Sequence, residues 1–171
     1  MDLINIISEF QYGLLIMNLD KPKRITISTY DLDLTLFILE FYDPDIEYNI
    51  YYWLKIKDLN LPPNVHLHQL NNNHCKFWYI ETNLYTRLII TSCNLTNCMI
   101  HDCLQSFCSI TSLKSNNLNN DSNYINTLKQ FFDIFNINLD YNLFKKLENK
   151  IIFNIPNKIN GIEKWLKSQN E

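Results

Sequence analysis

The sequence predicts an α/β fold, a three-layer α/β/α sandwich around a mixed β-sheet, formed by a single domain over residues 1–171. Two observations lead to this prediction. Segments with the alternation of half-buried strands are interleaved with segments whose apolar residues recur at helical spacing. The length of 171 residues and the hydrophobic content of 46% fit one globular domain with a sizeable core.

Local patterns place the elements of the amino-terminal part in order. Residues 3–17 are apolar and fit a short helix followed by a strand, although pattern alone does not separate the two. Residues 24–30 alternate and are β-branched, which predicts a strand. Asp31 can cap the helix that follows, which the Asp-Pro at 43–44 ends. Its apolar residues at helical spacing are Leu34, Phe37, Ile38 and Phe41.

The middle of the chain is rich in strand patterns. Residues 47–57 are aromatic and β-prone and read as a strand, although a helix stays open as an alternative. Residues 65–70 alternate over a short length. Two apolar runs, residues 74–81 and 85–92, read as a hairpin, and residues 105–110 read as a further short strand.

The carboxy-terminal part returns to helices. Residues 114–123 form a polar, low-complexity loop. A helix capped by Asp121 or Ser122 follows, and one of its faces carries Ile125, Leu128, Phe132 and Phe135. Beyond it we expect a short helix over 141–147, a buried strand over 150–155 and a terminal helix ending near Lys167.

The composition limits the classes of function. A net charge of −3 leaves no basic footprint, so recognition of a phosphate would have to be local. Five cysteines, an odd number without a C-x-x-C pair or a leading secretory segment, favour reduced thiols in an intracellular protein. No apolar run approaches the roughly 20 residues that cross a bilayer, so no membrane partner is expected.

One stretch groups side chains suited to chemistry rather than to packing. His74 and Lys76 lie two residues apart, so on a strand both leave the same face. A second apolar run, residues 88–90, leads to Ser92 and Asn94. If the two runs pair as a hairpin, an imidazole, an ammonium, a hydroxyl and an amide converge. Attack on a phosphodiester needs such a set, because the imidazole can attack phosphorus while the cation offsets charge on the non-bridging oxygens.

Less specific readings of the same residues stay open. A histidine on a strand is more often a core or surface residue than a catalytic one. His66, His68 and His74 could form a metal site, but no carboxylate or cysteine stands at a fixed spacing from them, and the cysteines fit no zinc motif. We therefore predict neither a metal nor a cofactor. Trp53 and Trp78 read as core residues.

The motif and its surroundings resemble a known family. H-x-K at His74, an apolar strand with Arg87, and T-S-C-N-L-T around Asn94 look like half of the phospholipase D superfamily site. The resemblance is closest to the amino-terminal half of the tyrosyl-DNA phosphodiesterases, in which the interval from His74 to Asn94 is the expected one and a Gln opens the next strand, as Gln105 does here. It covers most of the chain and is strongest over residues 74–105.

The resemblance implies a role for each residue. His74 would be the nucleophile that forms a phosphohistidine intermediate, Lys76 and Asn94 would hold the phosphoryl oxygens, and Ser92 and Gln105 would be supporting contacts. The implied activity is hydrolysis of phosphodiester or 3′-phosphotyrosyl bonds at DNA ends without a metal or cofactor. The implied partners are DNA ends or phosphodiester adducts, and the implied location is intracellular, in the nucleus if the family's role holds.

The chain also departs from the family pattern. The family builds its site from two halves, and the second half supplies the histidine that protonates the leaving group, whereas this sequence contains one H-x-K. Glu81 stands where other superfamily members carry an Asp, which the Asn-type half does not need. Two hypotheses follow. The site is completed by a second copy in a homodimer, or the chain is a degenerate half-domain that binds DNA or a protein partner without turnover.

Overall fold

The computed structural model describes residues 5–7, 21–56, 60–71, 73–102, 105–114, 123–138, 140 and 142–143. The chain divides into two compact units, Met1–Thr111 and Ser112–Glu171. The single domain over residues 1–171 stays a prediction. Within the described residues, no helix has the length and apolar character needed to cross a membrane.

Seven strands form one mixed sheet with the order β1-β7-β6-β5-β2-β3-β4. β2 pairs in parallel with β3, and β3 with β4, whereas β2 with β5, β5 with β6 and β1 with β7 are antiparallel. The α/β class with a mixed sheet is therefore confirmed. The strands are β1 (Asn5–Ile7), β2 (Arg24–Ser28), β3 (Glu47–Tyr52), β4 (Val65–Gln69), β5 (Phe77–Glu81), β6 (Tyr85–Thr91) and β7 (Gln105–Leu113).

Helix α1 (Leu34–Glu40) connects the parallel strands β2 and β3, which need a crossover rather than a tight turn. Its N-cap is Asp33, whose carboxylate accepts a hydrogen bond from the Leu36 N–H at 3.0 Å. The prediction of Asp31 as the cap was wrong. The helix cannot begin there because Leu32 forms a parallel β-bridge with Leu95, which holds the chain extended up to Asp33.

The core lies between α1 and the sheet. The buried side chains of α1 are Leu34, Leu36 and Phe37. They belong to one apolar cluster with Ile25 and Ile27 of β2, and each such side chain contributes about 1.5–3 kcal/mol by its removal from water. Thr26 and Ser28 alternate with these isoleucines and are also buried, so β2 is covered on both faces. This two-sided burial is what a three-layer arrangement requires.

Several boundaries differ from the prediction. β5 begins at Phe77, not at residue 74, and β7 continues to Leu113 beyond the predicted end at 110. A π-helical turn, Cys98–Asp102, was not predicted. Of residues 3–17, the structure describes only the strand β1, so the rest of that prediction lies outside the described residues.

The second unit contains helix α2 (Asn123–Asp133). Leu128, Phe132 and Phe135 are buried as its apolar pattern predicts, and Phe131 joins them through an edge contact with Phe132 at 4.9 Å between ring centroids. The polar loop over 115–122, the two candidate caps, the strand over 150–155 and the terminal helix lie outside the described residues. Of the predicted helix over 141–147, residues 142–143 are described and are helical.

Candidate active site

The predicted residues collect at one end of the central strands. Because β5 is antiparallel to both β2 and β6, its beginning lies beside their ends, with Phe77 opposite Ser28 and Ile90. The Thr91 N–H donates to the Lys76 carbonyl at 3.0 Å, which extends the β5–β6 pairing past the end of the strand. The H-x-K segment therefore lies next to the segment that carries Asn94.

His74 and Lys76 contact each other directly. The Lys76 ammonium lies 3.3 Å from Nδ1 of His74 and 3.4 Å from its carbonyl oxygen. His74 is exposed, and both residues directly precede β5. Since an ammonium can only donate, Nδ1 acts as the acceptor and a neutral ring carries its proton on Nε2. For Nε2 to attack, this proton must move to Nδ1. The Lys76 ammonium must therefore leave Nδ1 and bind an oxygen of the substrate instead.

Partial burial changes the electrostatics of Lys76. Removal from water lowers the pKa of its ammonium, while the neighbouring Cys75 and Cys93 act weakly in the opposite direction. Burial also raises the pKa of the Cys75 thiol, which keeps that thiol protonated at neutral pH. Lys76 is consequently a partly desolvated cation, and its attraction to a phosphoryl oxygen is stronger than that of a fully solvated lysine.

Asn94 is oriented by backbone groups. Its Oδ1 accepts hydrogen bonds from the N–H groups of Tyr30 at 3.3 Å and Asp31 at 3.4 Å. Because these two donors occupy the oxygen, the Nδ2 end of the amide is the one that can donate to a phosphoryl oxygen. The next residue, Leu95, is bonded to the same segment after β2. Its N–H donates to Thr29 Oγ1 at 3.1 Å, and its carbonyl accepts from the Asp33 N–H at 2.7 Å.

The two predicted supporting residues are less closely connected to His74. Ser92 is exposed one position after β6, beside the H-x-K segment. Gln105 opens β7, where its backbone pairs with Ile7, and its side chain lies outside the described part of the chain. Their supporting role stays a prediction.

A buried polar pair behind the site was not predicted. Asn73 and Ser28 are almost fully buried, and Asn73 Nδ2 donates to Ser28 Oγ at 3.0 Å. Ser28 Oγ donates to the Cys75 carbonyl at 2.9 Å, and the Cys75 N–H donates to Asn73 Oδ1 at 3.2 Å. These bonds hold the residues on either side of His74. The one local signal was an Asn able to accept from the backbone two residues on.

Aromatic rings border the site on the side of β2 and β3. The Tyr30 ring lies 4.7 Å from the His74 ring and 5.0 Å from the Trp53 ring, and the Lys76 ammonium lies 5.9 Å from its centroid. The sequence suggested Trp53 as a core residue, whereas it is half-buried next to Tyr30. Neither ring could be assigned to the site from the sequence, because the proximity of Tyr30 to His74 depends on the pairing of β2 with β5 and that of Trp53 to Tyr30 on the pairing of β2 with β3.

Other polar residues of the motif region lie elsewhere. Glu81 is at the opposite end of β5 and pairs with Arg24 at 3.7 Å, so it takes no part in the site. Arg87, in the middle of β6, donates from Nε to Thr111 Oγ1 at 2.8 Å, and burial lowers the pKa of its guanidinium. Both residues serve the sheet rather than the site.

The two histidines of β4 lie apart from His74. His66 and His68 lie on β4, which is separated from β5 by β3 and β2 in the sheet. His68 stacks on Tyr51 with ring centroids 4.5 Å apart, and burial lowers its pKa, with His66 adding to the effect. Across the residues that the structure describes, no group of three or more histidine, cysteine or acidic side chains could hold a metal ion.

Comparison with solved structures identifies similar folds. One crystal structure of yeast tyrosyl-DNA phosphodiesterase aligns with a TM-score of 0.56 at 13% identity, over 86% of this chain and 40% of that chain. A mutant of the yeast enzyme gives 0.57 at 13% identity, over 86% of this chain and 38% of that chain. NucT from Helicobacter pylori gives 0.49 at 15% identity, over 78% of this chain and 93% of that chain. No family model and no curated protein sequence matches the chain.

The predicted resemblance is thereby confirmed at the level of the fold. The chain spans about 40% of the length of the yeast enzyme that it matches. It adopts the α/β fold of that part of the enzyme, and the predicted residues His74, Lys76 and Asn94 lie at one end of its sheet.

Proposed function

We propose that the protein is a phosphodiesterase of the phospholipase D type, which hydrolyses phosphodiester or 3′-phosphotyrosyl bonds at DNA ends. The observation that carries this proposal is the meeting of three side chains at one end of the sheet. An exposed imidazole, a partly desolvated ammonium and a backbone-oriented amide lie on adjacent segments at His74, Lys76 and Asn94. Nucleophilic attack on phosphorus requires such a set.

The proposed reaction has two steps. In the first, a ring nitrogen of His74 attacks phosphorus, a P–N bond forms, and the P–O bond to the leaving group breaks while an acid protonates the departing oxygen. In the second, water attacks phosphorus, the P–N bond breaks, and the water's proton passes to the group that served as the acid. Lys76 and Asn94 donate to the non-bridging oxygens in both steps, so that no metal is needed to offset their charge.

A second copy of the chain would supply the acid. Of the other three histidines in the sequence, His66 and His68 lie on β4, which β3 and β2 separate from β5, and the side chain of His101 lies outside the described part of the chain. In an isologous dimer the same motif occurs twice across one axis. The exposed His74 of one copy could then protonate the leaving group while His74 of the other copy attacks phosphorus. The proposed working unit is therefore a homodimer with one shared site.

The proposal is tested by hydrolysis of an oligonucleotide with a 3′-phosphotyrosine in the presence of EDTA. We expect turnover by the wild-type protein and a loss of at least about a thousandfold in His74→Ala and Lys76→Ala, because each removes a group that acts directly on phosphorus. His66→Ala is the matched control and should retain activity. Full activity in His74→Ala would eliminate the assignment.

Subunit mixing tests the shared site separately. When wild-type protein is mixed with increasing amounts of His74→Ala and allowed to exchange, activity should fall with the square of the wild-type fraction if one site needs His74 from both copies. A fall in direct proportion to that fraction would mean that each chain works alone. Light scattering on the same samples reports the dimer.

A non-catalytic half-domain that binds DNA or a protein partner is the second candidate. The occurrence of one H-x-K in the sequence favours it. A chain that stays monomeric in light scattering, hydrolyses nothing and still binds an oligonucleotide in a manner that depends on Lys76 would support this alternative.

A further inference from the structure

We infer that Tyr30 is the positioning residue of the site, because its ring borders His74 and Lys76 and its backbone N–H orients Asn94. The catalytic consequence of this inference rests on the proposed function. The structural consequence, a fixed placement of the His74 ring, does not.

Tyr30 is itself firmly anchored. Its carbonyl accepts hydrogen bonds from the N–H groups of Trp53 at 3.3 Å and Leu54 at 3.1 Å, and the preceding Thr29 N–H donates to the Tyr51 carbonyl at 2.9 Å. The edge of one ring packs against the face of the other in the pair with Trp53, at an interplanar angle of 89°. The ends of β2 and β3 therefore fix both the backbone and the ring of Tyr30.

The Tyr30 ring limits the orientations of an otherwise exposed nucleophile. The residues on either side of His74, Asn73 and Cys75, are bonded to each other and to Ser28, but the His74 side chain is exposed and lies outside β5. The two rings lie 4.7 Å apart at an interplanar angle of 47°, within the range of favourable aromatic contacts. Without this contact the imidazole would sample several rotamers, and only part of the population would face a bound phosphorus.

The same ring lies beside the cation. The Lys76 ammonium is 5.9 Å from the Tyr30 centroid, at the limit of a cation–π contact. This attraction does not depend on the hydrogen bond to His74. It can therefore keep the ammonium close when a phosphoryl oxygen replaces Nδ1 as the acceptor.

The backbone of Tyr30 completes the arrangement. Its N–H donates to Asn94 Oδ1 at 3.3 Å. Tyr30 thus lies against His74 and Lys76 through its ring and against Asn94 through its backbone. A side-chain substitution leaves this N–H in place. The contribution of the ring can thus be separated from that of the backbone.

The first test compares Tyr30→Leu with Tyr30→Phe on the 3′-phosphotyrosyl oligonucleotide. Loss of the ring should lower kcat about 10- to 100-fold with little change in KM, because the reacting groups are misplaced rather than the substrate released. The phenylalanine variant keeps the ring and should stay within about threefold of the wild type. Tyr85→Leu, at the far end of β6, is the matched control and should be unaffected.

Three kinetic results would overturn the inference. Wild-type kcat in Tyr30→Leu would show that the ring positions nothing. Equal losses in Tyr30→Phe and Tyr30→Leu would show that the hydroxyl, not the ring, is the group that matters. A loss confined to KM would likewise assign Tyr30 to substrate binding instead of positioning.

The second test needs no activity. In a carbon–proton NMR correlation spectrum, the His74 ring signals are assigned by their absence in His74→Gln. In the wild type and in Tyr30→Phe these signals should be displaced by the ring current of residue 30, and in Tyr30→Leu the displacement should vanish. Undisplaced His74 signals in the wild type would refute the placement even if Tyr30→Leu failed to fold. If the wild type hydrolyses nothing, the proposed function fails while this spectrum still decides the role of Tyr30.

Discussion

Replacing Ser28 with alanine removes the hydroxyl on which the buried bonds behind the site converge. Ser28 Oγ donates to the Cys75 carbonyl at 2.9 Å and accepts from Asn73 Nδ2 at 3.0 Å. Ser28 is 2% exposed and Asn73 is 3% exposed, so water does not readily replace either bond. With about 1–2 kcal/mol for each bond whose partner is left buried, Ser28→Ala should lower the free energy of unfolding by about 2–4 kcal/mol.

Urea unfolding followed by tryptophan fluorescence measures this loss. The matched control is Ser112→Ala, a change at a serine that is 3% exposed and whose hydroxyl donates to the adjacent Leu113 carbonyl at 3.3 Å. The control removes one long, local bond and should cost about 1 kcal/mol or less. A cost for Ser28→Ala no larger than that of Ser112→Ala would refute the role given to the buried pair. We also expect Ser28→Ala to lower activity under conditions in which it remains folded, because the chain around His74 loses its support.

Two further predictions concern ionisation and a buried hydroxyl. Burial lowers the pKa of Lys76 from the ordinary 10.5, so the unfolded chain binds this proton more tightly, and stability should rise with pH between the lowered pKa and 10.5. Urea titrations at alkaline pH should show that rise in the wild type and lose it in Lys76→Met, and an unchanged rise would contradict the prediction. Burial raises the pKa of Tyr48 to about 12, and its hydroxyl donates to the Phe41 carbonyl at 2.7 Å and accepts from the Asp43 N–H at 3.0 Å. Tyr48→Phe should therefore cost about 1–3 kcal/mol in thermal or urea unfolding, and no measurable cost would argue against these bonds.

The parts of the fold that depend on local pattern were predictable. Alternation located β2 and β4, and β-prone or apolar runs located β3 and β6. All four strands begin at the predicted residue and end one to five residues before the predicted end. The prediction that His74 and Lys76 lie beside the segment of Asn94 depended on pairing the two apolar runs as a hairpin, and β5 and β6 do pair in this way. The resemblance to a known fold rested on these same residues.

The parts that depend on contacts between distant residues were not predictable. Asp31 and Asp33 are equally good caps by composition, and the bridge between Leu32 and Leu95 decides between them. The start of β5 is delayed because the Asn73 side chain, which is bonded to the distant Ser28, accepts a hydrogen bond from the Cys75 N–H. The place of Tyr30 follows from which strands pair, which no local pattern specifies. In each case, a residue from elsewhere in the chain overrides a reasonable local preference.

The bond between the Leu95 N–H and Thr29 Oγ1 joins residues separated by 66 positions, and it lies where the candidate site is assembled. Contacts of such long range form late in folding, because closing a long loop costs entropy before the contact is made. During synthesis, the H-x-K segment at His74 leaves the ribosome before Asn94, so the nascent chain would present this segment without its amide partner. Phosphate recognition would then arise only as the fold is completed, and a partly folded chain would carry the motif without its chemistry.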